Sequence, residues 1–496
     1  MTNRFKHPKG LMSLFFTEMW ERFSYYGMRA LLVLYLTSAA LSGGLGMDRG
    51  HALEIYAIFT GLVYLTPILG GFLADKFLGQ RKSILIGALL MATGQFTLAF
   101  SETGTDPLQR EMILYYGLGF LIMGNGFFKP NISTIVGQLY AEKDPRRDSG
   151  FTIFYMGINV GAFISPLIAG TLGERVGWAW GFACAGTGML IGMVWFISQA
   201  ANLGCAGLPP GRVTKEKQNN QLQLKDWLHI LLITPAIVVF VIVFLNVWSS
   251  ISEQSHSVIT TLFAVLGIAA ILWVIATNTK SKDQWSRVIV IIVLCFFNVF
   301  FWAGFEQVGG TLNLFAREKV DLLIGNWEIP VTSFQSIRAI AIIVFAPLFS
   351  LLWNWLSTVR ANPNTPAKFS IGLIFLGLGF VVISIANAKA QTGMLVSPLW
   401  LVAVYLLHTF GELSLSPIGL SMITKLSPPK ITSIMMGLWF GSTALANYFA
   451  GMLETLLHRF LPEMHLFHFL VITSFTSAFI LLALSPLLKK MMKGIH

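Results

Sequence analysis

Long apolar segments separated by short polar loops run through the whole sequence. An apolar run of about 18 residues or more is long enough to cross a bilayer as a helix. Fourteen runs meet this length, with centres near residues 26, 64, 92, 125, 160, 188, 237, 267, 301, 343, 378, 411, 442 and 478. The pattern predicts an all-α, multi-pass membrane protein.

One polar stretch divides these spans into groups. The sequence GLPPGRVTKEKQNNQLQLKD, within residues 200–226, is rich in proline, glycine, amides and charge, which is typical of a linker. Six spans precede it, two spans almost without charge follow at about 226–247 and 256–278, and six more complete the chain. We therefore expect an N-terminal six-helix bundle (residues 1–200), a cytoplasmic linker with two inserted transmembrane helices (201–285) and a C-terminal six-helix bundle (286–496).

Composition and charge agree with a membrane location and also predict the orientation. Only 11% of the residues are charged and the mean hydropathy is +0.69, whereas soluble proteins carry roughly 25% charged residues. Of the 34 lysines and arginines, 23 fall in loops on the side of the N-terminus, 7 on the opposite side and 4 inside spans. Because cytoplasmic loops are enriched in these residues, we expect both termini to be cytoplasmic. For a bacterial protein, the membrane would be the inner one.

Several other classes of protein do not fit the sequence. Three scattered cysteines are too few for a disulfide framework or a zinc site. The net charge of +11 is spread over short loops, so no nucleic-acid partner is expected. The motifs HExxH and GxSxG are missing, which argues against an intramembrane enzyme. No cofactor or metal is expected, and the charged first span does not resemble a signal peptide.

Charged residues inside the spans are the strongest functional signal. A charged group at the bilayer centre costs on the order of 3 kcal/mol, so such groups face a cavity or a partner. Most lie on the first, fourth, seventh and tenth helices of the twelve that remain without the inserted pair. These are the first helices of four successive triplets, which predicts a central cavity lined by one helix from each repeat. The charged residues are Glu18, Glu21, Arg22, Arg29, Lys129, Glu306, Glu412 and, outside this pattern, Arg338.

The charges of the first span share one face of its helix. At 100° per residue, they and one tyrosine occupy an arc of about 100°. The residues of this face are Glu18, Glu21, Arg22, Tyr25 and Arg29. The arc predicts a face turned away from lipid. A static cluster of salt bridges that holds two helices together remains an alternative, although buried ion pairs stabilise weakly compared with apolar packing.

Five motifs resemble those of a known transporter family. They are the first-helix signature ExxERFxYYG (residues 18–27), GGFLADKFLGQRK (70–82), GNGFFKPN (124–131), FYMGINVGAFISP (154–166) and GELSLSPIGL (411–420). The motif GGFLADKFLGQRK resembles the loop between the second and third helices of the major facilitator superfamily. The other four resemble motifs of one branch of that superfamily, the proton-dependent oligopeptide transporters, in their bacterial form with two extra helices. The resemblance implies two six-helix bundles that rock in alternating access around a site for di- and tripeptides.

The resemblance also implies substrate contacts, because a tolerant peptide site holds the two termini of the substrate. Arg29 and Lys129 would take the peptide carboxylate and Glu412 the amino terminus. Asn159 would bind the peptide backbone. The remaining family positions are tyrosines near the carboxylate and residues that shape side-chain pockets: Tyr25, Tyr26, Tyr64, Trp302, Trp439 and Thr443. For the tryptophans and Thr443, ordinary packing is an equally good interpretation.

Proton coupling and gating are assigned by the same resemblance. Glu306 would pair with Arg29 and release it when protonated, and Glu18, Glu21 and Arg22 would form the second half of the coupling device. The partners would be peptides, protons and the lipid bilayer, with a monomer as the functional unit. The loop motif would latch the cytoplasmic side through Asp75, Arg81 and Lys82, for which ordinary cytoplasmic charge is the alternative.

One residue departs from the family pattern. Arg338 stands where the family usually has an asparagine that helps to bind the peptide amino terminus. A cation there opposes an ammonium group, so a small solute with an additional anionic group remains an alternative substrate. A transporter-like receptor that senses its ligand also remains open.

Overall fold

The computed structural model of the chain describes residues 6–104, 106–141, 144, 146–208, 224–249, 269, 271–428 and 431–493. The helices of the first half are α1 (Lys9–Thr37), α2 (Arg49–Leu65), α3 (Pro67–Leu73), α4 (Gln80–Phe100), α5 (Pro107–Gln138), α6 (Arg147–Ser165), α7 (Thr171–Arg175) and α8 (Trp178–Ser198). They are followed by α9 (Leu224–Ser249), α10 (Lys282–Phe305), α11 (Thr311–Lys319), α12 (Phe334–Thr358), α13 (Thr365–Ala390), α14 (Leu399–Leu426), α15 (Thr432–Phe460) and α16 (Leu466–Met491).

The helices confirm an all-α, multi-pass architecture. Every predicted span falls on a described helix except the one centred near residue 267, most of which lies outside the described residues. Its last residues, 271–278, are helical. Within the described ranges, ten helical stretches are long and apolar enough to cross a membrane. The helix α1 is not one of them, because its charges interrupt the apolar run.

Several predicted spans consist of more than one helical segment. The second span is α2, α3 and a π-helical turn (Ala74–Leu78), with Pro67 at the first position of α3. The fifth span joins α6 to α7 through a second π turn (Pro166–Gly170). The seventh continues from α10 through the 3-10 turn Glu306–Gly309 into α11. Prolines explain the first two breaks, since they remove a backbone donor and clash with the preceding turn.

The chain forms two compact units. The first comprises residues 1–243 and 322–343, and the second comprises 244–321 and 344–493 of the described chain. In the first unit, α1 packs on α6 and α8, and α4 packs along α5. In the second, α13 packs on α14 and α16, and α10 packs on α15. A two-stranded hairpin, β1 (Leu323–Ile324) and β2 (Trp327–Glu328), belongs to the first unit. The three-part division expected from the sequence stays a prediction.

Glycines set the close approach of α4 and α5. A Cβ atom built on Gly124 would lie 2.8 Å from the Gly87 carbonyl oxygen, and one built on Gly94 would lie 2.8 Å from the Gly117 carbonyl oxygen. Carbon and oxygen do not approach so closely without strain, so neither helix tolerates a side chain there. The glycines of GNGFFKPN therefore fix how far α5 stands from its neighbours.

Candidate functional site

The charged face of α1 lies inside the first unit. Glu18, Glu21, Arg22, Tyr25 and Arg29 are each at most 4% exposed. The burial follows from the helical spacing found in the sequence, because these residues share one side of α1. This agrees with the prediction that the face avoids lipid.

Both glutamates of this face pair with the same arginine. The Arg22 Nε atom lies 2.8 Å from Glu18 Oε1 and 2.5 Å from Glu21 Oε2. On α5, the Asn125 side-chain nitrogen donates a hydrogen bond to Glu21 Oε1 at 3.2 Å. The guanidinium of Arg22 also lies 5.7 Å from the ring centre of Tyr25. Two carboxylates around one buried cation carry a net negative charge, which is an arrangement suited to accepting a proton.

A second cation on α1 is held by an aromatic residue that the sequence interpretation did not include. Arg29 Nε donates a 2.7 Å hydrogen bond to the hydroxyl of Tyr56 on α2. The guanidinium also lies 5.7 Å from the centre of that ring. In the sequence, Tyr56 could have been found from one feature. It precedes Tyr64 by eight residues on the same helix, which places the two rings near the same helix face.

Tyr25 lies between the two cations on the face of α1. Its hydroxyl is buried and makes no hydrogen bond to any side chain or backbone group that the structure describes. Its ring packs against Tyr26 at 5.3 Å and against Phe59 at 6.4 Å between ring centres. The ring is thus held in place by packing, while the hydroxyl keeps its capacity to hydrogen-bond.

Lys129 and Asn159 occupy the other predicted positions of the first unit. The Lys129 ammonium lies 4.1 Å from the centre of the Tyr64 ring, a cation–π contact between α5 and α2. Asn159 is 5% exposed, and its amide nitrogen donates to the Tyr155 carbonyl one turn earlier on α6. The structure therefore joins Lys129 with Tyr64 directly and keeps Asn159 against its own helix.

The predicted gating loop contacts the linker. Arg81 is fully buried, and its side chain donates to the carbonyl oxygens of Ala206 at 2.7 Å and Gly204 at 2.6 Å. Lys82 Nζ lies 3.5 Å from Asp226 Oδ1 at the start of α9, and both groups are buried. Asp75 is exposed and accepts a 2.9 Å hydrogen bond from the Gln80 amide. The two cations thus anchor the linker and the inserted helix α9.

A carboxylate clamp, made by Glu174 and Thr332, closes the opposite end of the first unit. Glu174 Oε2 accepts a 2.9 Å bond from the Val331 amide, and Oε1 accepts bonds from the Thr332 amide at 2.9 Å and the Thr332 hydroxyl at 2.6 Å. Ser336 donates a 2.7 Å bond to the Phe163 carbonyl beside it. The clamp therefore fixes the residues preceding α12 against the end of α6 and α7. No sequence motif had indicated it.

Side chains of the second unit form a hydrogen-bonded group around α15. The Asn298 amide nitrogen donates to Ser442 Oγ at 2.9 Å and to Thr443 Oγ1 at 3.2 Å. The Ser442 hydroxyl in turn donates 2.7 Å to the Trp439 carbonyl. Asn298 thus orients the pocket position Thr443, although the sequence interpretation had not named it. The sequence feature that could have identified Asn298 is its position one turn before Trp302 on α10.

The remaining predicted residues of the second unit lie at the C-terminal end of α10 and in α14. Trp302 is half-buried and packs edge-on against Phe305 at 5.1 Å between ring centres. Glu306 is 1% exposed and begins the 3-10 turn after α10, and Glu412 is 5% exposed on α14. The adjacent Gln307 donates to the Ala450 carbonyl at 2.8 Å, which fixes this turn on α15.

Arg338, the departure from the family pattern, is half-buried on α12 within the first unit. The roles predicted for this and the other site residues stay predictions.

The loop between α5 and α6 contains a charge pair that is separate from these groups. Arg146 donates to Asp144 from Nε at 3.0 Å, from Nη2 at 2.7 Å and from its backbone amide at 2.9 Å. These hydrogen bonds hold the pKa of Asp144 at about 2. The same arginine donates to the Lys6 carbonyl at 2.7 Å, which ties the segment before α1 to this loop.

Comparison with known proteins decides the family. The model of the POT family matches residues 81–465. This chain belongs to the POT family. It is 38% identical to the peptide transporter YePEPT of Yersinia enterocolitica subsp. palearctica over 90% of this chain and 88% of that protein. It is 32% identical to a di-/tripeptide transporter of Lactococcus lactis subsp. lactis over 98% of this chain and 97% of that one.

A solved structure supports the same conclusion for the fold. The crystal structure of a mutant of the peptide transporter POT in complex with alafosfalin superposes with a TM-score of 0.83 at 36% identity, covering 99% of this POT-family chain and 97% of the other. The prediction of an all-α major facilitator fold is confirmed by this match. The chain is thus a multi-pass membrane transporter.

Proposed function

We propose that this chain is a proton-coupled symporter that imports di- and tripeptides by alternating access. Support comes from its membership of the POT family and from the names of its relatives, a peptide transporter and a di-/tripeptide transporter. The charge bias of its loops supports both termini in the cytoplasm, and its bacterial relatives support a location in the bacterial inner membrane. The function is transport without chemical conversion of the substrate.

The observation that carries the proposal is the buried cluster of Glu18, Glu21 and Arg22 on α1. Burying ions carries a desolvation penalty that apolar residues of similar volume avoid. Apolar residues would therefore pack α1 more stably, which favours a functional role for the cluster. Here two carboxylates share one arginine, at 2.8 and 2.5 Å. Protonation of one carboxylate leaves a neutral ion pair, so a transported proton fits the charge balance of the cluster.

Substrate recognition is proposed for the cations of the first unit and the carboxylate of α14. Arg29 and Lys129 would bind the peptide carboxylate, with the hydroxyl of Tyr25 available to the substrate. Tyr26 and Tyr64 would lie beside them. The peptide amino terminus would be bound by Glu412. The proposed contacts to the peptide backbone and side chains are Asn159, Trp302, Trp439 and Thr443.

Coupling needs a group that gains and loses a proton as the transporter changes conformation. We assign this role to Glu306 together with the cluster on α1. One proton entering down the membrane potential contributes about 2.3 kcal/mol per 100 mV. The gating role of Arg81 and Lys82 is proposed as indirect, because both already bind the linker and α9, and Asp75 would act with them through Gln80.

Two alternative functions follow from the same residues. Arg338 supports a small solute with an additional anionic group as the substrate, because it adds a cation on α12. A transporter-like receptor would use the same charged groups to sense its ligand. The first alternative predicts that acidic dipeptides compete better than neutral or basic ones, and that Arg338→Asn removes this preference.

Uptake of a labelled dipeptide into proteoliposomes tests the proposal. An imposed inward proton gradient should cause accumulation above the external concentration, and Glu306→Gln should abolish accumulation while leaving exchange across the membrane. Uptake that ignores the gradient, together with wild-type behaviour of Glu306→Gln, would refute proton symport. Binding without any uptake would instead support the receptor.

A further inference from the structure

A buried asparagine on α5 contacts the acid at the centre of the charged cluster. Asn125 is 1% exposed, and its side-chain nitrogen donates to Glu21 Oε1 at 3.2 Å. Its side-chain oxygen is buried and has no hydrogen-bond partner among the described residues. Asn125 therefore donates one hydrogen bond to Glu21, and its side-chain oxygen can still accept one.

The backbone around Asn125 is fixed on both sides. A Cβ atom on Gly124 would lie 2.8 Å from the Gly87 carbonyl oxygen of α4, and one on Gly126 would lie 2.8 Å from Thr66 Cβ at the end of α2. The Thr66 hydroxyl also donates to the Ile122 carbonyl at 3.0 Å. With glycines packed on two other helices, α5 has little freedom to rotate, and Asn125 stays directed at α1.

A carboxyl group changes its hydrogen-bonding needs when it gains a proton. Ionised, it only accepts hydrogen bonds, and protonated, it also donates one. A side-chain amide has a donor and an acceptor of nearly the same shape, and a half-turn about its last torsion exchanges them. At the same place in the protein, Asn125 can therefore donate to the Glu21 carboxylate or accept from the Glu21 carboxylic acid.

We propose that Asn125 is a positioning residue for proton coupling, which serves Glu21 in both of its protonation states. When Glu21 accepts a proton, its new O–H bond is donated to the Asn125 side-chain oxygen, and Arg22 keeps its ion pair with Glu18. When the proton leaves, the amide turns back and its nitrogen donates to the carboxylate. This inference rests on the proposed proton symport and adds to it the group that keeps a hydrogen bond to Glu21 whether the carboxyl group is ionised or protonated.

Other charges also act on Glu21 and enter any pH dependence. On α1 they are Glu18 and Arg22, and on α5 the ammonium of Lys129 contributes. Tyr64, on α2, faces Arg22. Because Asn125 is neutral at every pH of interest, its removal leaves this charge set unchanged and alters only hydrogen bonding.

The decisive variant is Asn125→Leu, which keeps the approximate size of the side chain but removes both polar groups. Its matched control is Asn131→Leu on the same helix, because Asn131 is equally buried at 1% exposure and, among the residues that the structure describes, its amide donates to the Phe127 carbonyl one turn earlier on its own helix. Asn125→Gln restores a donor and an acceptor on a longer side chain. Glu21→Gln provides the background in which Glu21 cannot take a proton.

We expect Asn125→Leu to lower gradient-driven dipeptide uptake in proteoliposomes by about 10-fold or more while exchange stays within about 2-fold of wild type. A hydrogen bond to a charged group is stronger than one between neutral groups. The midpoint of the pH profile of driven uptake should therefore move to higher pH by roughly 0.5 to 1 pH unit in this variant. Asn125→Gln should recover part of the driven uptake and part of the midpoint shift. Asn131→Leu should change neither the ratio of driven uptake to exchange nor the midpoint of the pH profile.

Three results would overturn the inference. The first is a wild-type ratio of driven uptake to exchange in Asn125→Leu, with an unshifted pH profile. The second is an equal loss of uptake and exchange in both leucine variants, which would indicate a packing role. The third is a further effect of Asn125→Leu in the Glu21→Gln background. Absence of gradient-driven uptake in the wild-type protein is a different outcome, because it refutes the proposed symport before any variant is compared.

Discussion

The clamp at the end of α6 and α7 lets us predict how much the Glu174 carboxylate stabilises the closed arrangement at this side of the first unit. Glu174 accepts two backbone N–H bonds and one hydroxyl bond, at 2.9, 2.9 and 2.6 Å, from the residues that lead into α12. In an alternating-access cycle with the proposed orientation, the outer side opens when the segment around Thr332 separates from α6 and α7. All three hydrogen bonds must then break.

The magnitude follows from the donors involved. Hydrogen bonds to a charged group contribute about 1.5–3 kcal/mol each, but three bonds to one carboxylate are not additive. We expect Glu174→Ala to lower the free energy that favours the closed arrangement by about 2–3 kcal/mol. At about 1.4 kcal/mol per tenfold change, the equilibrium between closed and open arrangements then shifts roughly 30- to 140-fold toward the open one. Thr332→Val removes the hydroxyl alone, and we expect a shift of about 10-fold from roughly 1.5 kcal/mol, the lower end of the range for one bond to a charged group.

Cysteine accessibility measures this shift. Ser336, whose hydroxyl bonds to the Phe163 carbonyl, is replaced by cysteine after Cys184, Cys205 and Cys295 have been changed to alanine or serine. The labelling rate by a membrane-impermeant maleimide added outside the cells should rise in the order wild type, Thr332→Val, Glu174→Ala.

The matched control uses the neighbouring exposed ion pair. Arg175 Nη1 lies 3.4 Å from Glu328 Oε2, with the Glu328 side chain 55% exposed. Exposed pairs contribute about 0–1 kcal/mol, so Glu328→Gln should leave the labelling rate nearly unchanged. Equal rates in wild type and Glu174→Ala would refute the clamp, and an equal rise in Glu328→Gln would refute its assignment to Glu174.

Three further predictions concern other parts of the first unit. Tyr56→Phe removes the 2.7 Å hydrogen bond from Arg29 but keeps the ring beneath it, so we expect the KM for a dipeptide to rise by about 10-fold, for a bond to a charged group of roughly 1.5 kcal/mol, with little loss of maximal exchange. Asp226→Asn leaves Lys82 buried without its carboxylate and should lower the thermal stability of the purified protein more than Asp75→Asn, which removes only an exposed group. The pKa of Asp144 is lowered to about 2, so this group is ionised above that pH and its contribution is lost only as the pH falls through about 2. Asp144→Asn should therefore not move the midpoint of the pH profile of uptake between roughly pH 5 and 8, which the proteoliposome assay measures directly.

The sequence predicted the helices well because apolar length and loop charge are local properties. It also placed the charged face of α1, since five residues of one helix share an arc whatever packs against them. The breaks at Thr66 and Pro166 within predicted spans were not foreseen, because an apolar run looks continuous whether or not its helix turns.

Partners across helices were harder to predict than the residues themselves. The hydrogen bonds from Asn125 to Glu21 and from Arg29 to Tyr56 join positions that are 104 and 27 residues apart. No periodicity links such positions, so only the packing of α1 against α5 and α2 reveals them. The Glu174 clamp was missed for the same reason, and because a glutamate at the end of a span looks like an ordinary loop charge.

The loop motif illustrates how the same residues acquire a different interpretation from their contacts. Arg81 and Lys82 were expected to latch the cytoplasmic side, yet Arg81 binds the carbonyls of Gly204 and Ala206 and Lys82 pairs with Asp226. A latch must release once in each cycle, and release would here leave a fully buried guanidinium without its acceptors, which is costly. The contacts therefore favour a permanent anchor for the linker and α9. Any movement of this loop would then act on α9 through the buried Lys82–Asp226 pair.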